Sequence, residues 1–456
     1  MASHPQELTG QIMAGVAWSA MHTLQHGYHI TALNGIQGAV MCSGLENRGS
    51  HQDHANHNVV PACLDLYEFG VISSAFLFGG LLSSLGASYI SNKYGRRAAL
   101  QISSGLVLLG SIALSIAPDL KWALFARLCV GGGCGIATVV TPLYLGETAP
   151  PAYKNRLGIA NQSFIVLGVL LTQSLAIPLS RPYLWRFVPI VSAVISFLLL
   201  AASPFIQESS IWLQHRARKD GKELDARESD PLLNDEADPS KPSNEMLSAW
   251  ELLHTAQPTL RRALYTVLLV QLSQQVCGIS PVMYFSHQIM STTFPTSSKM
   301  IALMIAAVKV PVTFASALLL KKYKPKQLLV LSAGLMSISA FCLAISMNNG
   351  WAIPSSVAII AFVLSFSIGL GPVTWVVIGD VMPSSAASAA GSLGLFLNWF
   401  TNCLVGVIFL PLRDAMAHLP IGGIGNIFFC FGATCLASCF VMRKLYTVAK
   451  RERPLA

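Results

Sequence analysis

Residues 271–286, QLSQQVCGISPVMYFS, place three glutamines within five positions of an otherwise apolar stretch. On a helix Gln271, Gln274, Gln275 and Gly278 recur at i, i+3, i+4 and i+7 and share one face. A side-chain amide both donates and accepts hydrogen bonds, so such a face suits a neutral polyol, whose hydroxyls do the same. Carboxylates only accept, and they cost more to bury in a membrane. Amides also hold membrane helices together, at about 1 kcal/mol per interhelical bond. For Gln271 both readings stand; for Gln274 and Gln275 contact with a solute is the expectation. No phosphate-binding loop and no nucleophile–base arrangement stands out, so neither enzymatic chemistry nor a cofactor is expected.

The elements that must position these amides are membrane helices. Of 456 residues, 53% are hydrophobic and 11% charged, less than half the roughly 25% charge of soluble domains. Runs of about 20 apolar residues, enough to cross a hydrocarbon core, lie near 15–40, 66–90, 98–117, 121–145, 157–179 and 186–206. Six more lie near 262–286, 298–320, 327–346, 352–379, 388–412 and 422–442. The reading is an all-α membrane protein with twelve spans in two six-helix halves. The N-terminus MASHPQELTG has no basic region of the kind that opens a cleavable signal, so the first span is expected to stay in place.

Lysine and arginine collect in short loops that remain in the cytoplasm. With both termini inside, cytoplasmic segments hold 22 of the 30 basic residues, which accounts for the net charge of +9 without nucleic acid as a partner. The one long polar segment, 207–260, carries KDGKELDARESDPLLNDEADPSKPSNE and has the composition of a partly disordered linker. The organisation is therefore a half at 1–206, a linker at 207–260, a half at 261–442 and a cytoplasmic tail at 443–456. Two six-helix halves around a midplane site is the layout of carriers built from repeats, read here as a monomer in the lipid bilayer.

At NKYGRR (92–97), RLCVGGGCG, PLYLGETAPPAYKNRLG, NQSFIVLGVLLTQ, QLSQQVCGI, GLGPVTW and FLNWFTNCLVG the chain resembles the sugar porters of the major facilitator superfamily. GYHITALNGIQ in span 1 is similar to the facilitative glucose transporter branch. The resemblance runs from about residue 20 to 440 and implies the major facilitator fold, with a hexose or related polyol carried by alternating access. It implies sugar contacts at Gln162, Gln274, Gln275, Trp375 and Asn398, with Asn34 of the span 1 motif among the cavity residues. An indole stacks on the apolar face of a pyranose while its N–H finds a partner. Gly369, Gly371 and Pro372 weaken span 10 so that it can break beside Trp375.

Departures from the family pattern fall in the cavity and at the inner gate. Ser280 stands where the family has an asparagine, Lys309 falls near another, and Ser367 occupies an acidic position. A lysine in mid-span marks function by default, whether it pairs with substrate, pairs with a carboxylate or snorkels. The resemblance implies a cytoplasmic gate of ion pairs at Arg96, Arg97, Glu147, Arg156 or Lys154, and Asp380. KKYKPK and MPSSAASAAG lack the arginines expected after spans 8 and 10, and QESSI (207–211) is a reduced signature. Weaker cytoplasmic closure is the expected consequence.

His29 stands where proton-coupled relatives carry an aspartate. It reads either as a proton site with Arg127 as its charged neighbour, or as a polar group of the cavity wall. In the linker, Glu228 precedes Leu232 and Leu233 by the spacing of an acidic dileucine signal read by clathrin adaptors, which points to a vacuolar or lysosomal membrane. His51, His54 and His57 read as polar loop rather than a metal site. Cys42 and Cys63 flank that loop on the oxidising side and can pair as a disulfide. Three functions follow: a facilitative carrier of a hexose or related neutral polyol, a proton-coupled version of it, and a non-transporting sensor or trafficking protein with the same body.

Overall fold

A backbone inside a bilayer must satisfy its own N–H and C=O groups, so a chain this apolar crosses as helices. The computed structural model describes residues 10–40, 64, 66–148, 154–181, 184–219, 247–283, 298–418 and 423–451, and holds no strand among them. The first half consists of α1 (Gly10–Val40), α2 (Leu66–Tyr94), α3 (Arg96–Ser115), α4 (Leu120–Thr148), α5 (Lys154–Leu179) and α6 (Phe187–Ala202). Two short helices, α7 (Ser210–Lys219) and α8 (Ala249–Leu253), lie within the linker segment 207–260. The second half follows as α9 (Pro258–Val276), α10 (Ser298–Lys322), α11 (Pro325–Asn348), α12 (Ala352–Ile368), α13 (Val373–Val381), α14 (Ser384–Ala417) and α15 (Asn426–Arg451).

Eleven spans among the described residues are long and apolar enough to cross a membrane. The twelfth helix, α1, falls outside that set despite its 31 residues, because His22, Gln25, His26, His29 and Asn34 lower its hydropathy. Its polar groups are sheltered. Gln25 donates to Ser196 Oγ at 2.6 Å and to the Ser192 carbonyl at 3.0 Å, and Tyr28 donates to the Val188 carbonyl at 2.6 Å. Buried polar groups of this kind are tolerated when bonded. Outward-facing positions such as Phe78, Leu82, Phe197, Leu318 and Phe440 are exposed and apolar, as a lipid-facing surface requires.

The halves meet along two seams, α2 against α14 and α5 against α10 and α13. Within the first half, α1 and α5 cross backbone to backbone. A Cβ on Gly27 would lie 1.9 Å from the Ile165 carbonyl oxygen, and one on Gly168 would lie 2.0 Å from that of Leu24. This close crossing brings His26 and Gln162 to the same wall of the central cavity.

Two spans are broken where the site forms. The expected helical face of span 7 stops short, because α9 ends at Val276 and Gly278 adopts φ +86°. A left-handed residue cannot continue an α-helix, so Gly278 leaves the face that Gln271, Gln274 and Gln275 share. Span 10 breaks between Ile368 and Val373, at the glycines and proline that weaken it.

Candidate functional site

A cavity of about 90 Å³ lies between the halves. Its lining includes seven residues singled out from the sequence: Gln162, Gln274, Gln275, Ser280, Lys309, Trp375 and Asn398. Trp375 on α13 donates its indole N–H across the seam to Gln162 Oε1 on α5, at 3.0 Å. Asn34, expected among the cavity residues, is half-buried and not in the lining; it donates to the Met283 carbonyl at 3.4 Å, another link between halves.

The amides form one network. Asn398 Nδ2 donates to Gln274 Oε1 at 2.8 Å and to Gln271 Oε1 at 2.9 Å. Gln275 Nε2 donates to Asn398 Oδ1 at 2.9 Å, and Ser280 donates to Gln275 Oε1 at 2.5 Å. Gln274 Nε2 reaches the carbonyls of Leu370 and Gly371, at 2.8 and 3.2 Å, inside the break between α12 and α13. Gln274 thus lines the cavity and also satisfies backbone that the interrupted helix leaves open. Gln271 is absent from the lining and bonds Asn398 from behind, so the glue role applies to it. Gln275, Ser280, Asn398 and the Trp375–Gln162 pair remain as the polar face towards a guest.

Other lining residues escaped the sequence reading, among them His26, Thr138, Phe366, Trp399 and Asn402. His26 stacks on Phe76 with centroids 6.1 Å apart and meets the edge of Trp399 at 5.2 Å. Spacing gave no signal for it: His22, Gln25 and His29, at i, i+3 and i+7 of the same helical run, bond instead to Ser104, Ser196 and Ser192 of the first half. His29 is not in the cavity wall, contrary to one expectation. Its ring Nε2 pairs with Ser192 Oγ at 2.7 Å and lies 3.5 Å from Ser111 Oγ, between α3 and α6. Arg127 does neighbour it: the guanidinium points to the His29 carbonyl at 3.4 Å and lies 4.6 Å from the Phe76 ring centroid. Ser367 is also turned away, donating to the Val363 carbonyl of its own helix at 2.9 Å.

The charged cluster at the basic end binds the first half to itself. Arg96 grips Glu147 with two parallel bonds, Nε to Oε2 at 2.8 Å and Nη2 to Oε1 at 2.7 Å. Ser209 donates to Glu147 Oε2 at 2.5 Å, and Arg97 donates to the Ile206 carbonyl at 3.1 Å. Glu208, in the reduced signature, accepts from the backbone N–H of Arg96 and Arg97 at 2.9–3.1 Å. It caps α3, where first-turn N–H groups and the helix dipole favour a carboxylate. The QESSI segment therefore keeps a working acid. Burial pushes the Glu208 carboxyl above its usual range, opposed by those N–H groups and by that of Ser209.

Asp380 has a partner that the missing arginines did not suggest: the Tyr446 hydroxyl of α15 donates to it. Closure between the halves at this end uses serines. Ser88 and Ser388 hydroxyls lie 3.0 Å apart, Ser392 Oγ accepts from the Ser88 N–H at 3.1 Å, and Ser392 donates to the Ser84 carbonyl at 3.1 Å. The small residues of MPSSAASAAGS thus close a contact where ion pairs were expected. The side chains of Lys154 and Arg156, and all of Cys42, Cys63, His51, His54, His57, Glu228, Leu232 and Leu233, lie outside the described residues.

Two helical halves around an amide-lined cavity, with broken helices at the site, define the class of membrane carriers built by alternating access. The family model for sugar (and other) transporters matches residues 16–452, and the chain belongs to that family. It is similar to vacuolar protein sorting-associated protein 73 of Saccharomyces cerevisiae, 27% identical over 468 residues covering 96% of this chain and 94% of the relative. It is likewise similar to human solute carrier family 2 facilitated glucose transporter member 4, 27% identical over 431 residues covering 90% and 84%. Among solved structures, the proton:xylose symporter XylE bound to 6-bromo-6-deoxy-D-glucose superposes with a TM-score of 0.78 at 18% identity, covering 95% of each chain. That likeness establishes the major facilitator fold. The family, the human glucose transporter and XylE are transporters rather than enzymes.

Proposed function

We propose that the chain carries a hexose or related polyol through this cavity by facilitated, alternating access. The observation that carries the reading is the cavity's chemistry: amides, hydroxyls and indoles converge at the seam, and no Asp or Glu is among its described lining residues. Neutral donors and acceptors match hydroxyls, and Trp375 and Trp399 offer flat apolar faces. The glucose carriage named for the human relative agrees with this reading. His29 favours the facilitative version, since its ring is bonded to Ser192 between α3 and α6 instead of lining the path. With its basic end in the cytoplasm, the carrier would serve a vacuolar or lysosomal membrane through Glu228, Leu232 and Leu233.

Transport of D-glucose by purified protein in proteoliposomes tests the function. Gln275→Ala is expected to remove it without unfolding the protein; uptake equal to the parent's would mean the cavity is misassigned. Leu232→Ala combined with Leu233→Ala should send a tagged protein to the cell surface. Unchanged localisation would remove the sorting reading.

A further inference from the structure

Lys309 is a buried charge that the function above leaves unexplained. It sits on α10, is 4% exposed and lines the cavity. Its Nζ lies 5.2 Å from the centroid of the Phe366 ring. Among the described residues no carboxylate pairs with the ammonium and no hydrogen bond satisfies it; the face of that ring is what it meets. A cation over an aromatic face gains about 0.5–2 kcal/mol, whereas removing an ammonium from water costs several. A protein that buries such a group where a guest enters leaves a demand that an anionic guest meets.

The rest of the lining fits the remainder of such a guest. Gln275, Ser280, Asn398 and Trp375 can serve hydroxyls, and His26 adds a ring Nδ1 with no hydrogen-bond partner among the described residues. No arginine and no second lysine is among the described lining residues. One ammonium balances one carboxylate, while a phosphate ester carries about −1.5 to −2 and would call for more positive charge. We propose that the cavity prefers a monosaccharide bearing a single carboxylate, a hexuronate or aldonate, with Lys309 as its counter-charge. This rests on the carrier reading and names the substrate class within it.

The test is initial uptake, at subsaturating concentration and clamped membrane potential, of radiolabelled D-glucuronate, D-glucose and glucose 6-phosphate into proteoliposomes of the full chain. D-glucuronate should enter at least tenfold faster than D-glucose, a factor worth about 1.4 kcal/mol. Lys309→Met should erase that advantage and Lys309→Arg should retain part of it. If Lys309→Met does not fold, the parent's ratio decides alone. D-glucuronate uptake no faster than D-glucose, an advantage undiminished in a folded Lys309→Met variant, or glucose 6-phosphate outrunning both would overturn the inference. Glucose uptake that depends on Gln275, without preference for the acid, would defeat only the Lys309 assignment. Uptake of none of the three would defeat the carrier reading with it.

Discussion

Truncating Glu147 to alanine should damage the fold far more than a surface charge change would. Arg96 is 1% exposed and Glu147 8%, and they share two bonds of 2.7–2.8 Å. Exposed ion pairs contribute about 0–1 kcal/mol, but breaking a buried pair by removing one partner costs about 3–5 kcal/mol, because the other charge stays out of water. In Glu147→Ala the guanidinium keeps the Ser91 carbonyl at 3.1 Å and Asn92 Oδ1 at 3.4 Å but loses both bonds to its carboxylate, and a loss within that range is expected. Ser209→Ala removes a hydrogen bond to a charged acceptor and the acceptor of the Trp212 N–H, and should cost about 1.5–3 kcal/mol. The paired change Arg96→Met with Glu147→Leu replaces both charges by apolar groups and should recover much of the loss. Thermal unfolding in detergent measures all three. If Glu147→Ala unfolds within about 0.5 kcal/mol of the parent, the pair is a solvated one and does not hold the ends of α3 and α4 together.

Three further outcomes follow from the same geometry. Gln274→Leu leaves the Gly371 carbonyl without its side-chain donor, while Thr374 Oγ1 still donates to that of Leu370, and should destabilise by about 1–3 kcal/mol, read as a lowered unfolding midpoint; an unchanged midpoint would remove its buttressing role. Ser88→Cys with Ser388→Cys, replacing hydroxyls 3.0 Å apart across the seam, should cross-link on oxidation and stop transport until a reductant is added, and transport that persists while cross-linked would show that α2 and α14 need not separate there. Glu208 should shape the pH dependence of stability. A carboxyl with its folded pKa raised above the ordinary 4.5 bears no penalty below that value and a growing one as pH rises through its own pKa. Glu208→Gln should therefore lose less stability than the parent over that rise, measured by unfolding midpoints, and parallel profiles would contradict the burial argument.

Composition and helical length made the two-half membrane fold legible, because a bilayer admits few solutions for a chain so apolar. The resemblance to the sugar porters brought Gln162, Gln275, Trp375 and Asn398 to attention, and they do converge on one cavity. What stayed hidden depends on three-dimensional pairing. Helical periodicity extended the glutamine face to Gly278, but that residue's positive φ turns the chain aside. Histidines three residues apart on α1 look equivalent in sequence, yet the packing of α1 on α5 and α6 turns His26 to the cavity and His29 into the first half. The loss of arginines suggested a weaker gate, since charge is easy to see in sequence. The serine contacts of Ser84, Ser88, Ser388 and Ser392 become visible only when α2 and α14 are laid side by side.

The most direct measurement of the central claim is ligand-induced stabilisation of the purified protein by monosaccharides, compared between the parent and the variants Gln275→Ala and Trp375→Ala. A guest that binds the folded state alone raises stability by RT ln(1 + [L]/Kd), about 2.7 kcal/mol at a hundredfold excess over Kd. The account predicts a saturable rise in the unfolding midpoint for the parent and none for either variant. An equal rise in all three proteins would contradict it.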